Sequence, residues 1–135
     1  MSVFEWPVRV YYEDTDAGGV VYYANYLRYL ERARTEWLRQ LGFEQDRLMR
    51  DVGIVFAVRR VEIDYLLPAR FDDALTVEAA VETVSKVALT FRQAIRRAPD
   101  RLLSRALVQI VCLDRSSFRP TAIPAEIREK MYAQQ

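Results

Sequence analysis

From Tyr12 to Tyr26 the chain reads Tyr-Glu-Asp-Thr-Asp-Ala-Gly-Gly-Val-Val-Tyr-Tyr-Ala-Asn-Tyr, and this stretch gathers the residue types that can do chemistry. Glu13, Asp14 and Asp16 place three carboxylates within four residues, and mutual repulsion and desolvation oppose ionising all three in a partly buried loop. Gly18 and Gly19 follow, and glycine accepts positive φ and lets a ligand approach the backbone closely. A helix is expected to begin near Tyr22 or Tyr23, where free N–H groups can stabilise a developing oxyanion. A carboxylate and an electrophilic helix start in one loop suit acyl transfer. The same residues also fit a structural reading in which Asp14 and Asp16 cap turns and the glycines shape them.

The rest of the composition narrows the chemistry. There is no histidine, so a Ser-His-Asp triad, a Cys-His pair, an HExxH zinc site and most His-ligated metal sites are excluded. Acid–base work near neutral pH then falls mainly to a carboxylate with a shifted pKa. Cys112, the single cysteine, lies in the apolar run 106–113 and is expected to pack as a small hydrophobe. One cysteine gives no intrachain disulfide framework and no cysteine-based zinc site, and the N-terminus lacks a basic-then-apolar secretory pattern. A cytoplasmic location is therefore expected. No stretch approaches the roughly 18 uninterrupted apolar residues of a membrane span. The formal net charge of +1 gives no whole-molecule pull toward nucleic acid or anionic membrane. Arg59-Arg60 and Arg96-Arg97 near tyrosines do not overcome that near-zero charge, and no RNP-like run is present, so no nucleic-acid partner is expected.

The elements that must position the loop follow from periodicity. With 135 residues, 51% of them hydrophobic, a single domain over residues 1–135 with one core is expected. Residues 7–13 alternate and read as a short strand. Tyr26, Leu30, Ala33, Trp37 and Leu41 recur at helical spacing over residues 23–41, and Gly42 stands where a left-handed cap stops the helix. A second, shorter helical piece covers 44–51. Residues 54–65 alternate but change parity at Arg59-Arg60, as a bulge requires. Three further strands, from Leu75, Val87 and Leu102, are separated by turns at Ser85-Lys86 and Ala98-Pro99-Asp100-Arg101. Pro120 and Pro124 lead a short helical tail. The architecture is α+β: strand, long helix, then four strands, with an antiparallel sheet wrapped on the helix.

The stretch from Tyr12 to Leu27 resembles the opening motif of hotdog-fold acyl-CoA thioesterases, and is most similar to the Tol-Pal-associated branch of the 4-hydroxybenzoyl-CoA thioesterase family. The resemblance continues through Glu31-Arg32-Ala33-Arg34-Thr35-Glu36, Asp64-Tyr65, Pro68-Ala69 and Asp72-Asp73 and covers essentially the whole chain. It implies a hotdog fold with five antiparallel strands and hydrolysis of an acyl-CoA thioester, with no cofactor beyond the coenzyme A of the substrate. It places the catalytic carboxylate on Asp16, the oxyanion donor on the Tyr23 backbone N–H, and the loop-opening glycine on Gly19. Asp14 looks like the residue that shapes the loop. Many members of that branch carry His where this chain has Tyr23, which removes a side-chain role from the comparison and leaves the backbone role. A non-catalytic hotdog protein that binds acyl thioesters or serves as a scaffold is the alternative. A hotdog dehydratase resembles chemistry with a His base, which this chain lacks.

The resemblance also implies a homodimer or a tetramer with the site built between protomers, and peripheral association with membrane-associated proteins. An open sheet with exposed edges agrees with self-association. Eighteen of the twenty cationic residues are Arg, whose fork suits the phosphates of coenzyme A, although a bias toward Arg codons gives the same count. Arg59, Arg60, Ser85 and Lys86 are the candidate contacts. The acyl group is not legible from one sequence.

Overall fold

The computed structural model describes residues 1–135 as one α+β unit. A five-stranded antiparallel sheet holds β1 (Val3–Arg9), β2 (Ile54–Tyr65), β3 (Ala74–Val84), β4 (Ala88–Arg97) and β5 (Arg101–Asp114) in the order β1-β3-β4-β5-β2. Helix α1 (Asn25–Gln40) lies on one face of the sheet. A single turn of helix, α2 (Gln45–Arg47), and the C-terminal α3 (Ala125–Gln134) complete the chain.

The meander β3-β4-β5 forms from consecutive strands as expected, and β5 is interior because β2 adds to its far side. This explains the near-continuous apolar run 106–113, where Val111 and Leu113 are buried together with Val108, Ile110 and Cys112. The β2 register shifts between Val58 and Arg60, leaving Arg59 as the extra residue, at the point where the sequence parity changes.

The first strand is earlier than expected. It spans Val3–Arg9 rather than 7–13, because Phe4, Trp6 and Val8 supply the inward-facing alternation and Phe4 stacks on Trp6. Pro7 is tolerated because β1 is an edge strand, where a missing N–H disturbs no second ladder. Beyond Arg9 the chain leaves the sheet, and Tyr12–Asp14 form a tight 3-10 turn.

Along α1 the buried face holds Tyr26, Leu30, Ala33 and Trp37, as periodicity requires, together with Tyr29 and Leu38. Leu41 is only half-buried, because the helix has ended at Gln40 and Gly42 takes φ 101° to turn the chain away. The piece expected at 44–51 is α2 followed by a wider turn over Leu48–Val52, in which the Gly53 N–H donates back to the Leu48 carbonyl at 2.8 Å. Gln93 is the notable buried polar side chain under α1. Its amide donates to the Leu30 carbonyl at 3.2 Å and accepts from Arg34 at 3.0 Å, which removes the cost of burying it.

Candidate functional site

Asp14 and Asp16 are separated only by Thr15 but do different work. Asp14 faces back into the loop. Its carboxylate accepts the Tyr11 N–H at 2.8 Å, and its carbonyl accepts both the Tyr22 N–H and the Asn25 side-chain amide at 2.9 Å. The residue therefore ties the 3-10 turn to the start of α1. Asp16 sits at the tip of a small hairpin closed by an isolated bridge between Thr15 and Val21. Its N–H donates to the Val20 carbonyl, its carbonyl accepts the Gly19 N–H, and its Oδ1 accepts the Gly18 N–H at 2.8 Å. Oδ2 accepts no hydrogen bond, and the side chain is exposed. One carboxylate oxygen is held and the other is free.

Gly18 and Gly19 serve this tip in different ways. A Cβ on Gly18 would stand 3.2 Å from the Asp16 Oδ1, and Gly19 takes φ 79°, a conformation that L side chains rarely adopt. The hairpin is anchored to the body of the protein by a bridge from Val20 to Arg70 and by the Val21 N–H donating to the Ala69 carbonyl at 2.8 Å. Tyr26 secures the same segment from the helix side, its hydroxyl accepting the Ala69 N–H at 3.0 Å.

Helix α1 starts later than the expected Tyr22 or Tyr23, but a tighter turn precedes it. The Asn25 N–H donates to Tyr22, the Tyr26 N–H to Tyr23 and the Leu27 N–H to Ala24. The Tyr22 N–H is already given to Asp14, so the Tyr23 and Ala24 N–H groups are the ones at this start that donate to no protein acceptor. They carry the positive end of the helix dipole. Around them lie exposed aromatic rings: Tyr22 against Tyr23 at 4.9 Å, Tyr65 edge-on to Tyr23 at 6.1 Å, and Tyr12 edge-on to Phe71 at 5.7 Å.

Beneath the loop, Tyr29 is fully buried and its hydroxyl makes no hydrogen bond of normal geometry. Burial and then the nearby Asp14 carboxylate raise its pKa above the ordinary value of 10, so the phenol stays protonated. No group of three or more His, Cys, Asp or Glu side chains is placed to hold a metal ion.

Within one chain the remaining candidates lie elsewhere. Ser85 and Lys86 follow the last residue of β3, whereas the Asp16 loop is tied to its beginning through hydrogen bonds between Val10 and residues Asp72 and Asp73. The eleven residues of β3 put roughly 35 Å between those ends. Ser85 closes the β3–β4 hairpin, its hydroxyl exchanging hydrogen bonds with the Ala88 backbone. Arg59 and Arg60 are exposed at the middle of β2, where Arg60 pairs with Glu62 and Arg59 forms no ion pair. Two residues that build the site carry no catalytic signature in sequence: Asn25, which fastens the loop to the helix, and Tyr65, whose hydroxyl donates to the Tyr23 carbonyl at 3.2 Å. Asn25 was legible only as one residue of the motif, and Tyr65 only as the end of a strand and part of the Asp64-Tyr65 segment of the resemblance, without a role.

Comparison with known proteins gives a consistent picture. The sequence profile of the Thioesterase-like superfamily matches residues 10–131. The chain is 46% identical to the Acyl-CoA thioester hydrolase YbgC of Escherichia coli O6:H1 over 126 residues, covering 93% of each chain. Among solved structures it is similar to a probable thioesterase from Bartonella henselae, with a TM-score of 0.87 and 32% identity over 91% of this chain and all of that one. It also shares the fold of a mutant 4-hydroxybenzoyl CoA thioesterase crystallised with 4-hydroxybenzoyl CoA, at a TM-score of 0.88 and 24% identity over 97% of this chain and 98% of that one.

Proposed function

The chain belongs to the thioesterase-like superfamily and is a thioester hydrolase of hotdog fold, and on that premise we propose that it cleaves an acyl-CoA to the free acid and coenzyme A, using Asp16 and the Tyr23 backbone N–H. The observation that carries the reading is the pairing, in one loop, of a carboxylate with a free Oδ2 and a helix start whose Tyr23 N–H has no protein acceptor. The thioester carbonyl gains negative charge as it is attacked, and the Tyr23 N–H at the positive helix end offsets that charge. The carboxylate has two routes. It attacks the carbonyl carbon to give a mixed anhydride that water then hydrolyses, or it takes a proton from the water that attacks. In both, the carbon–sulfur bond breaks and the thiolate leaves with little acid assistance, so no histidine is required.

Coenzyme A contacts follow from self-association. The outer edge of β2 is unpaired along twelve residues. Two copies related by a two-fold axis pair this edge antiparallel, so the Ile54 end of one lies beside the Tyr65 end of the other. Ile54 and the β3–β4 hairpin occupy the same end of the sheet, since Asp114 pairs with Ile54 and Val111 with Ala88. The dimer thereby turns the end bearing Ser85 and Lys86 of one copy toward the end bearing Asp16 and Tyr23 of the other, with Arg59 and Arg60 between. No helix is long and apolar enough to cross a membrane, and association with membrane-bound proteins would be peripheral.

The test is release of free thiol from acyl-CoA, followed with a thiol reagent. Hydrolysis is expected. Binding of acyl-CoA without thiol release would favour the non-catalytic, scaffolding alternative instead.

A further inference from the structure

At the start of α1 the Asn25 N–H meets the Tyr22 carbonyl at 2.8 Å, but the next two bonds are longer: the Tyr26 N–H reaches the Tyr23 carbonyl at 3.3 Å and the Leu27 N–H reaches Ala24 at 3.2 Å. A helix end of this kind frays unless something outside the helix holds it. The Asp14 carbonyl supplies part of that support by accepting the Tyr22 N–H and the Asn25 amide, and Tyr65, the last residue of β2, supplies the part that reaches Tyr23 itself. Its hydroxyl donates to the same Tyr23 carbonyl at 3.2 Å, and its ring stands edge-on to Tyr23 at 6.1 Å and to Tyr26 at 5.2 Å. Tyr26 is itself fixed, with its ring buried and its hydroxyl bonded to Ala69.

We propose that Tyr65 is a positioning residue for the reaction, holding Tyr23 in the orientation in which its N–H meets the thioester oxygen. The inference rests on the hydrolase reading above. Tyr65 does not touch the reacting atoms. It acts through the Tyr23 backbone, as a strut from the rigid sheet to an exposed helix start whose own Tyr23 ring is 62% exposed and offers little anchoring. A donor that is already in place when charge develops stabilises the transition state without reorganisation, whereas ground-state binding of substrate is unaffected. Burial, and then the neighbouring Tyr23 and Tyr26 phenols, raise the Tyr65 pKa above 10, so the group remains a donor throughout the working range. The sheet is a better support than a loop because Tyr65, although partly exposed, is fixed by its ladder to β5, where it pairs with Ser104.

The experiment compares the full-length wild type with Tyr65→Phe and Tyr65→Leu, using butyryl-CoA and benzoyl-CoA as probes and thiol release as the readout. Phe keeps the ring contacts and removes only the hydrogen bond. For Tyr65→Phe, kcat is expected to fall about five- to tenfold, the loss of one neutral hydrogen bond, with KM within about twofold and an unchanged pH profile. Its melting temperature should match the wild type. Tyr65→Leu removes the ring as well and should lose more kcat and lower the melting temperature. A Phe variant with wild-type kcat overturns the inference while leaving the hydrolase reading intact, as does one whose kcat loss is matched by a comparable rise in KM. A wild type that turns over neither probe overturns both.

Discussion

Trp37→Ala probes whether the sheet is wrapped on α1, because this indole is the largest side chain that the helix commits to the core. It is 3% exposed and packs edge-on against Phe91 of β4 with ring centroids 4.9 Å apart. Truncating a buried Trp to Ala costs about 3 to 5 kcal/mol in general, through lost transfer energy and the void left behind. Losing the aromatic pair contributes about 0.5 to 1.5 kcal/mol of that. Trp37 also borders a half-open cleft of about 190 Å³ between α1 and the sheet, which has a partly polar rim of Glu31, Arg34, Thr35 and Gln45. Water entering from that rim limits the void penalty, which puts the expected loss in the lower part of the range, about 3 to 4 kcal/mol. With a urea m-value of roughly 2 kcal/mol per molar, the midpoint should fall by about 1.5 to 2 M, followed by circular dichroism at one fixed protein concentration. A shift below about 0.5 M would refute the packing of α1 on β4.

Sedimentation at micromolar concentration should find a species of at least twice the 15.8 kDa chain mass, and a species at the chain mass would contradict pairing through β2. Burial pushes the Cys112 thiol from 9.0 up to about 11. A group whose pKa is raised on folding stabilises the native state fully below pH 9.0, and that contribution is lost as the pH rises toward 11. At pH 8 a thiol reagent should therefore label Cys112 only as fast as the protein unfolds. Rapid stoichiometric labelling of native protein would place the thiol at the surface.

The order of the elements along the chain and the long helix were legible because each rests on a period. The parity change at Arg59-Arg60 marks the register shift of β2 itself, and helical spacing marks the buried face from Tyr26 to Trp37. What periodicity cannot express was missed. Val3 to Trp6 were left out of the expected strand, which began at Pro7, because a Pro inside a strand is tolerated only where the strand is an edge, and edge position is a tertiary fact. Tyr29 was not assigned to the core, although it completes the face between Tyr26 and Leu30. In the site, the carboxylate-and-glycine loop stood out by composition, yet the division of labour between Asp14 and Asp16 depends on which N–H each carboxylate meets. Tyr65 is forty-two residues from Tyr23 along the chain, and only the fold brings them together. The distance from Asp16 to Ser85 and Lys86 is likewise a property of strand direction, invisible in residue types.

The most direct measurement is the rate of thiol release by Asp16→Asn beside Asp14→Asn, both checked for native circular dichroism and for acyl-CoA binding. Asn keeps the size of the side chain and an acceptor for the Gly18 N–H but removes the basic, nucleophilic oxygen. Asp16→Asn should retain acyl-CoA binding and lose turnover by at least about 10²- to 10⁴-fold, the scale for removing a general base. Asp14→Asn, whose side chain need only accept the Tyr11 N–H, should lose far less. Full activity in Asp16→Asn, with turnover abolished in Asp14→Asn, would move the reacting carboxylate to Asp14, and full activity in both would remove this loop from the chemistry.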